Sequence, residues 1–314
     1  MSTFTPNRRE FTTTLASFCA GGMASAHVAL AAQTPKGFSL RYILASAMYG
    51  YTDLAEILPE VKKVGAEAID IWPKVHGNQR EQLETLGLEQ AAELLQQHQV
   101  KLGSIACYKL GPFQLQEEMQ FARKLGGRGV VLVCTARGPV NLQGGELKTA
   151  IGKFVETMKP HVAAAEETGC VIAIENHSSS LITSPDSIRW LAELSKSAHL
   201  GLAFAPHHLP QDSELQASII RDVVPSIKLF YAQQHGMGSQ QKRPKEQELL
   251  QMPGRGPFDF TPLLAAFRTA RYAGWTEIFM HPVPRGVPIL DSTEKITAEI
   301  NRSRKYLNNC LKGN

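Results

Sequence analysis

A repeated unit restricts the fold of this chain more than any other feature: a short apolar run, a polar tip, then an amphipathic segment. The apolar runs occupy 40–46, 66–72, 100–106, 129–133, 171–175, 200–205, 227–231 and 275–280. Each is rich in Ile, Val, Leu and Ala and lacks clean alternation of polar and apolar residues. A strand with one wet face alternates, whereas a strand covered on both faces does not. The runs therefore read as strands of a buried parallel sheet.

Helical stretches lie between them. Thr52 and Asp53 are placed to cap a helix over 54–64 that stops at Gly65. Further helices are expected over 88–97, over 115–125 before Gly126 and Gly127, and over 147–167 before Gly169. Ser184-Pro185 opens another over 186–194, and Thr261-Pro262 one over 263–272, each with proline in the first turn. The last spans 293–311. Eight strands alternating with helices over about 280 residues fit an α/β chain folded as a single-domain (β/α)8 TIM barrel spanning 38–314. The rival, a doubly wound open sheet, would carry a glycine-rich phosphate turn after its first strand. Met48-Tyr-Gly-Tyr51 is not such a turn, and no nucleotide cofactor is expected. One connection, 233–260, is long enough to suggest a lid over a site.

The N-terminus reads as an address. Arg8 and Arg9 precede a mildly apolar stretch rich in Ala, Gly and Thr, and Ala29-Leu-Ala31 offers small residues for cleavage. Residues 1–32 resemble a twin-arginine export signal, which implies a periplasmic or other extracytoplasmic location and export of an already folded chain. Gly21, Gly22 and His27 make the stretch too polar for a good membrane span, so no stable insertion is expected once the signal is removed. The five cysteines (Cys19, Cys107, Cys134, Cys170 and Cys310) form no C-x-x-C pair and no disulfide framework, and read as small buried apolar residues. A net charge of +4 over 314 residues gives no basic face for nucleic acid.

In such a barrel the C-terminal strand ends build the site. The polar residues expected there are Tyr49, Asp70 with Trp72, Lys109, Cys134, Glu175 with His177, His207 with His208, Tyr231 with Gln234 and His235, and His281 with Arg285. Several histidines arriving at one rim beside a carboxylate point to a metal site. Trp72 offers a face for a sugar ring or for rim packing. Arg285 and, from the long connection, Arg255 could hold an anionic or hydroxyl group.

The chain from about Ser39 onward resembles the sugar isomerase and epimerase superfamily, the xylose-isomerase-like barrels. The segments that carry the resemblance are Ala173-Ile-Glu-Asn-His177, Phe204-Ala-Pro-His-His-Leu209, Pro253-Gly-Arg-Gly-Pro-Phe-Asp259 and Gly274-Trp-Thr-Glu-Ile-Phe-Met-His281. The resemblance implies a divalent metal on the fifth-strand Glu, here Glu175. It also implies a substrate-contacting His at His208, an acidic ligand on the sixth strand, a His on the seventh and a second Glu on the eighth. Ala205 stands where the acidic ligand would be. Lys228-Leu-Phe-Tyr231 stands where a His is expected, with Gln234 or His235 a little further on. Phe279-Met-His281 lacks the second Glu, with His281 the nearest replacement and Glu277 further back in the strand.

The expected metal ligands are therefore Glu175, His208, His235 and His281, with Gln234 an alternative to His235. The expected catalytic residues are Glu175, Lys109 and His208. The expected substrate contacts are Trp72, His177, His207, Tyr231, Arg255 and Arg285. A site so rich in histidine suits Zn, Mn, Co or Fe better than Mg. The family's proton-transfer chemistry resembles a two-carboxylate machine, and here one carboxylate remains. The expected activity is a metal-dependent sugar isomerase or epimerase. The alternatives are a metal-assisted lyase or hydrolase acting on an oxidised keto sugar, and a sugar-binding barrel without catalysis. A small sugar is the expected partner, assembly of identical copies stays open, and nucleic acid is not expected.

Overall fold

The computed structural model describes residues 37–236 and 239–312. Eight parallel strands close into a barrel in chain order: β1 (Arg41–Ala45), β2 (Ala68–Ile71), β3 (Lys101–Ala106), β4 (Val131–Thr135), β5 (Val171–Glu175), β6 (Leu200–Phe204), β7 (Ile227–Ala232) and β8 (Trp275–Ile278). β1 pairs with both β2 and β8, which closes the ring. The strands are buried almost throughout, β6 entirely, because helices cover the outer face and side chains fill the interior. Seven of the eight runs fall where the sequence places strands. The fourth lies two residues later than expected, which puts Thr135 rather than Val133 at its end.

The surrounding helices are α1 (Leu54–Lys63), α2 (Gln79–His98), α3 (Gln116–Gly126), α4 (Gly144–Thr168), α5 (Pro185–Leu194), α6 (Ser213–Val223), α7 (Lys245–Glu248), α8 (Thr261–Thr269) and α9 (Thr293–Lys312). Three differ from expectation, the shortest being α7, a single turn inside the connection read as a loop. α6 was not anticipated, although Asp212 caps it by accepting from the Leu215 N–H at 3.0 Å. α2 begins nine residues before 88 and runs through a break at Gly87, whose φ of 76° only glycine adopts cheaply. The expected cap of α1 is also replaced. The Asp53 side chain accepts no capping bond, and Gln82 of α2 takes the Leu54 N–H at 2.7 Å instead. At the head of α5 the expectation holds, as Ser184 and Ser187 form a reciprocal capping box ahead of Pro185.

The connection 233–260 folds back onto its own root. The Gln234 amide donates to the carbonyls of Leu250 at 2.6 Å and Met252 at 3.0 Å, and its oxygen accepts from the Phe258 N–H at 2.9 Å. A Cβ at Gly256 would meet Gln234 Nε2 at 2.5 Å, so only glycine lets the chain pass there. No helix among the described residues is long and apolar enough to cross a membrane. Residues 1–32, read above as an export signal, lie outside the described residues.

Candidate active site

A cavity of about 930 Å³ opens at the C-terminal ends of the strands. Glu175 enters it from the end of β5, buried to 4% exposure. The next residue explains its placement. Asn176 donates to the Ala205 carbonyl at 2.9 Å and accepts the Ala205 N–H at 2.8 Å, which ties the end of β5 to the end of β6. Ala205 leads into a single 3-10 turn, Pro206–His208. The Pro206 carbonyl takes two further bonds, from Gln211 at 3.0 Å and Gln216 at 3.1 Å. The turn that carries His207 and His208 is thus fixed against Glu175.

His208 Nε2 lies 3.7 Å from Glu175 Oε1. Among the described residues, the ligand atoms of Glu175, His207 and His208 converge to within 4.8 Å of one another. Imidazoles surround this group. The His208 ring centroid is 4.1 Å from those of both His177 and His207, and His281 lies 6.4 Å from His207 and 5.0 Å from His76. Trp72 closes the inner wall, stacked on Phe279 at 5.0 Å, with its indole N–H donating to Asp70 at 2.5 Å. The hydroxyls of Tyr108 and Tyr231 bond at 3.1 Å beside Glu175.

Electrostatics follow from burial. Glu175 is pushed up to about 7 by burial, against the opposing pull of His177 and the Tyr108 hydroxyl. Burial holds His208 down at about 3, helped by the charges of His177 and His235, and His76 at about 4, helped by Arg285. Burial first, then neighbouring charged groups, hold His207 and His281 well below the ordinary value. These imidazoles are neutral at neutral pH, the form that offers a lone pair to a metal. The Nδ1 atoms of His207 and His281 are buried with no hydrogen-bond partner. A buried carboxyl beside neutral imidazoles with orphaned nitrogens fits a borderline divalent ion, and Glu175, His207 and His208 would hold it.

The expected residues separate into groups. Trp72, His177, Tyr231, His235, His281 and Arg285 all line the cavity with Glu175, His207 and His208. His207, expected as a substrate contact, converges with Glu175 and His208, whereas His235 and His281, expected as ligands, line the cavity outside that group. Lys109 is exposed and not on the cavity wall. Arg255 turns away, bonding Glu299 of α9 through Nε at 2.9 Å and Nη2 at 2.5 Å. Gln234 is consumed by the loop root described above. Glu277 stands within β8, wholly buried in the barrel rather than on the cavity wall. Reading of the sequence missed His76, Tyr108 and Gln211, of which His76 alone had a visible signal, a histidine four residues beyond Trp72.

A closed parallel barrel with Glu175 and several buried histidines in a cavity at its C-terminal rim defines the class as a (β/α)8 barrel. Residues 58–306 match the family model described as xylose isomerase-like TIM barrel, and the chain belongs to that family. No curated protein matches the sequence. Among solved structures, the chain is similar to the IOLI protein with a binding zinc atom, at a TM-score of 0.65 and 16% identity over 87% of this chain and 99% of that one. An L-ribulose 3-epimerase gives 0.64 and 13% over 88% and 95%. The apo 3-keto-D-glucoside 4-epimerase YcjR from E. coli gives 0.60 and 15% over 85% and 100%. Identities this low show the shared fold.

Proposed function

We propose that this protein is an exported, metal-dependent sugar isomerase or epimerase that moves a proton next to a carbonyl. The convergence of Glu175, His207 and His208 within 4.8 Å inside the rim cavity carries the reading. The fold neighbours support it, since they include sugar epimerases and a zinc-containing relative. A divalent ion held there would supply Lewis acidity toward a carbonyl or enolate oxygen. The chain's own residues do the rest. Trp72 and Phe279 present an apolar wall to the C–H face of a sugar. Glu175, raised to about 7, has the proton affinity that suits proton transfer at neutral pH, and the neutral rings of His281 and His76 can accept hydrogen bonds from substrate hydroxyls. The Tyr108–Tyr231 hydroxyl pair can donate hydrogen bonds to substrate oxygens.

A second reading is favoured by one observation. Glu175 is the one carboxylate on the cavity wall among the described residues. That leaves no carboxylate pair on opposite faces of a substrate and suits a one-base lyase acting on a keto sugar. Incubating the metal-loaded protein with a panel of aldoses, ketoses and keto sugars in deuterated water separates the two. Solvent deuterium at carbon in recovered or isomerised sugar supports isomerisation. An unsaturated or cleaved product supports the lyase, and neither outcome with any substrate would count against both. Export is tested by fractionating cells that express the full chain: a shortened product outside the cytoplasm is expected, and its loss in an R8K/R9K variant.

A further inference from the structure

Arg285 sits in the connection from β8 to α9, half-buried on the wall of the cavity. Its Nη1 donates to the Pro282 carbonyl and its Nη2 to the Ser239 carbonyl, both at 2.6 Å. Those bonds fix the guanidinium and leave three of its five N–H groups for other partners. No carboxylate among the described residues lies within ion-pair distance of it. Glu248 is the acid whose field reaches it, and Glu248 is committed to Lys245 at 2.5 Å. Three other half-buried arginines are neutralised by an acid. Arg80 holds Glu118 at 2.7 Å, Arg189 holds Asp222 at 2.7 Å and Arg302 holds Glu299 at 2.8 Å. A partly desolvated cation held only by neutral carbonyls gains most from an anion that arrives with a ligand.

Its position within the cavity is also informative. The charge of Arg285 acts on His76 and His281, whereas the groups acting on His207, His208 and Glu175 are others. Arg285 stands on the loop just past His281, tied to the Pro282 and Ser239 carbonyls, and is not among the groups that converge at Glu175, His207 and His208. A volume of about 930 Å³ is near the top of the range for small-molecule sites, about 300–1,000 Å³. A sugar placed on the triad leaves room for an appended group that reaches Arg285.

We propose that Arg285 is an anion subsite, and that the substrate is an acidic sugar derivative whose carboxylate or phosphate lies remote from its carbonyl. The proposal rests on the reading of this cavity as a sugar-modifying site and names its substrate class. It is tested by calorimetric titration of the metal-loaded full chain with two matched series: glucose, glucuronate and glucose 6-phosphate, and galactose, galacturonate and galactose 6-phosphate. In at least one series an acid binds 10-fold or more tightly than its neutral parent. Which acid does so tells carboxylate from phosphate. In R285Q the preference falls to within 2-fold, while metal content stays that of wild type; R285K, which keeps the charge and loses the fork, retains part of the preference. Circular dichroism melts confirm that both variants fold. Equal binding of neutral and acidic sugars, a preference that survives R285Q, or no binding of any probe overturns the proposal. A wild type that binds no metal would sink the metal reading and leave the charge preference to be read separately.

Discussion

Glu277 stands inside the barrel with neither carboxyl oxygen hydrogen-bonded, next to Asp70, whose Oδ1 is also unpartnered. Burial pushes both acids up, Asp70 to about 6, and each would repel the other if both ionised. In the unfolded chain both ionise near pH 4. Their contribution to stability is therefore present below about pH 4 and lost as pH rises through the folded values. We expect the melting temperature of metal-free wild type to fall more between pH 5 and pH 8 than that of E277Q; parallel curves would contradict this. Arg255 belongs to the same scale. Glu299 is 6% exposed and paired with both Arg255 and Arg302, so R255A should lower stability by about 1 kcal/mol and leave ligand affinity unchanged. A denaturant titration and a binding isotherm check it. The sequence made Arg255 a substrate contact because its partner lies 44 residues away, where no local pattern reaches. Glu175 is legible because it ends a short, continuous apolar run, where a polar group must have a purpose. That His207 rather than His281 converges with Glu175 and His208 is not legible, since it depends on the 3-10 turn that aims the rings.

At the scale of elements, the link between β5 and β6 matters most. Asn176 bonds both backbone groups of Ala205, and N176A leaves the buried Ala205 N–H unmet while the carbonyl keeps only the His208 N–H at 3.3 Å. A loss of about 2–3 kcal/mol is expected, together with weaker metal binding, because the turn holding His207 and His208 is then free to shift against Glu175. Calorimetry on the variant tests both effects, and unchanged metal affinity would show that the turn is fixed by Gln211 and Gln216 alone. The strands were readable because a run buried on both faces is continuous and short. Helices were less so where two signals merged. The apolar positions Ile219, Ile220 and Val223 of α6 run through Val224 almost directly into β7, which hid the boundary. α2 is kinked at Gly87, so the helix expected from 88 is its second half, and the half before the kink carries too few apolar residues to be read from the sequence.

For the whole molecule, the barrel gathers residues from seven strand ends into one cavity, and the account turns on what fills its centre. An ion that binds the folded chain alone stabilises it by about 2.7 kcal/mol at 100 times its dissociation constant. At about 2–4 °C per kcal/mol for a large domain, removal of the metal by a chelator should lower the melting temperature by roughly 5–10 °C. R285Q should show the same shift, because Arg285 stands apart from the convergent ligands. The most direct measurement is metal content per chain, by elemental analysis, in wild type and in E175A, H207A, H208A and H281A. Stoichiometric metal in wild type and H281A, with loss in E175A, H207A and H208A, is the expected result. A wild type without metal, or an E175A variant that keeps it, would contradict the assignment of Glu175, His207 and His208 as the centre of the site.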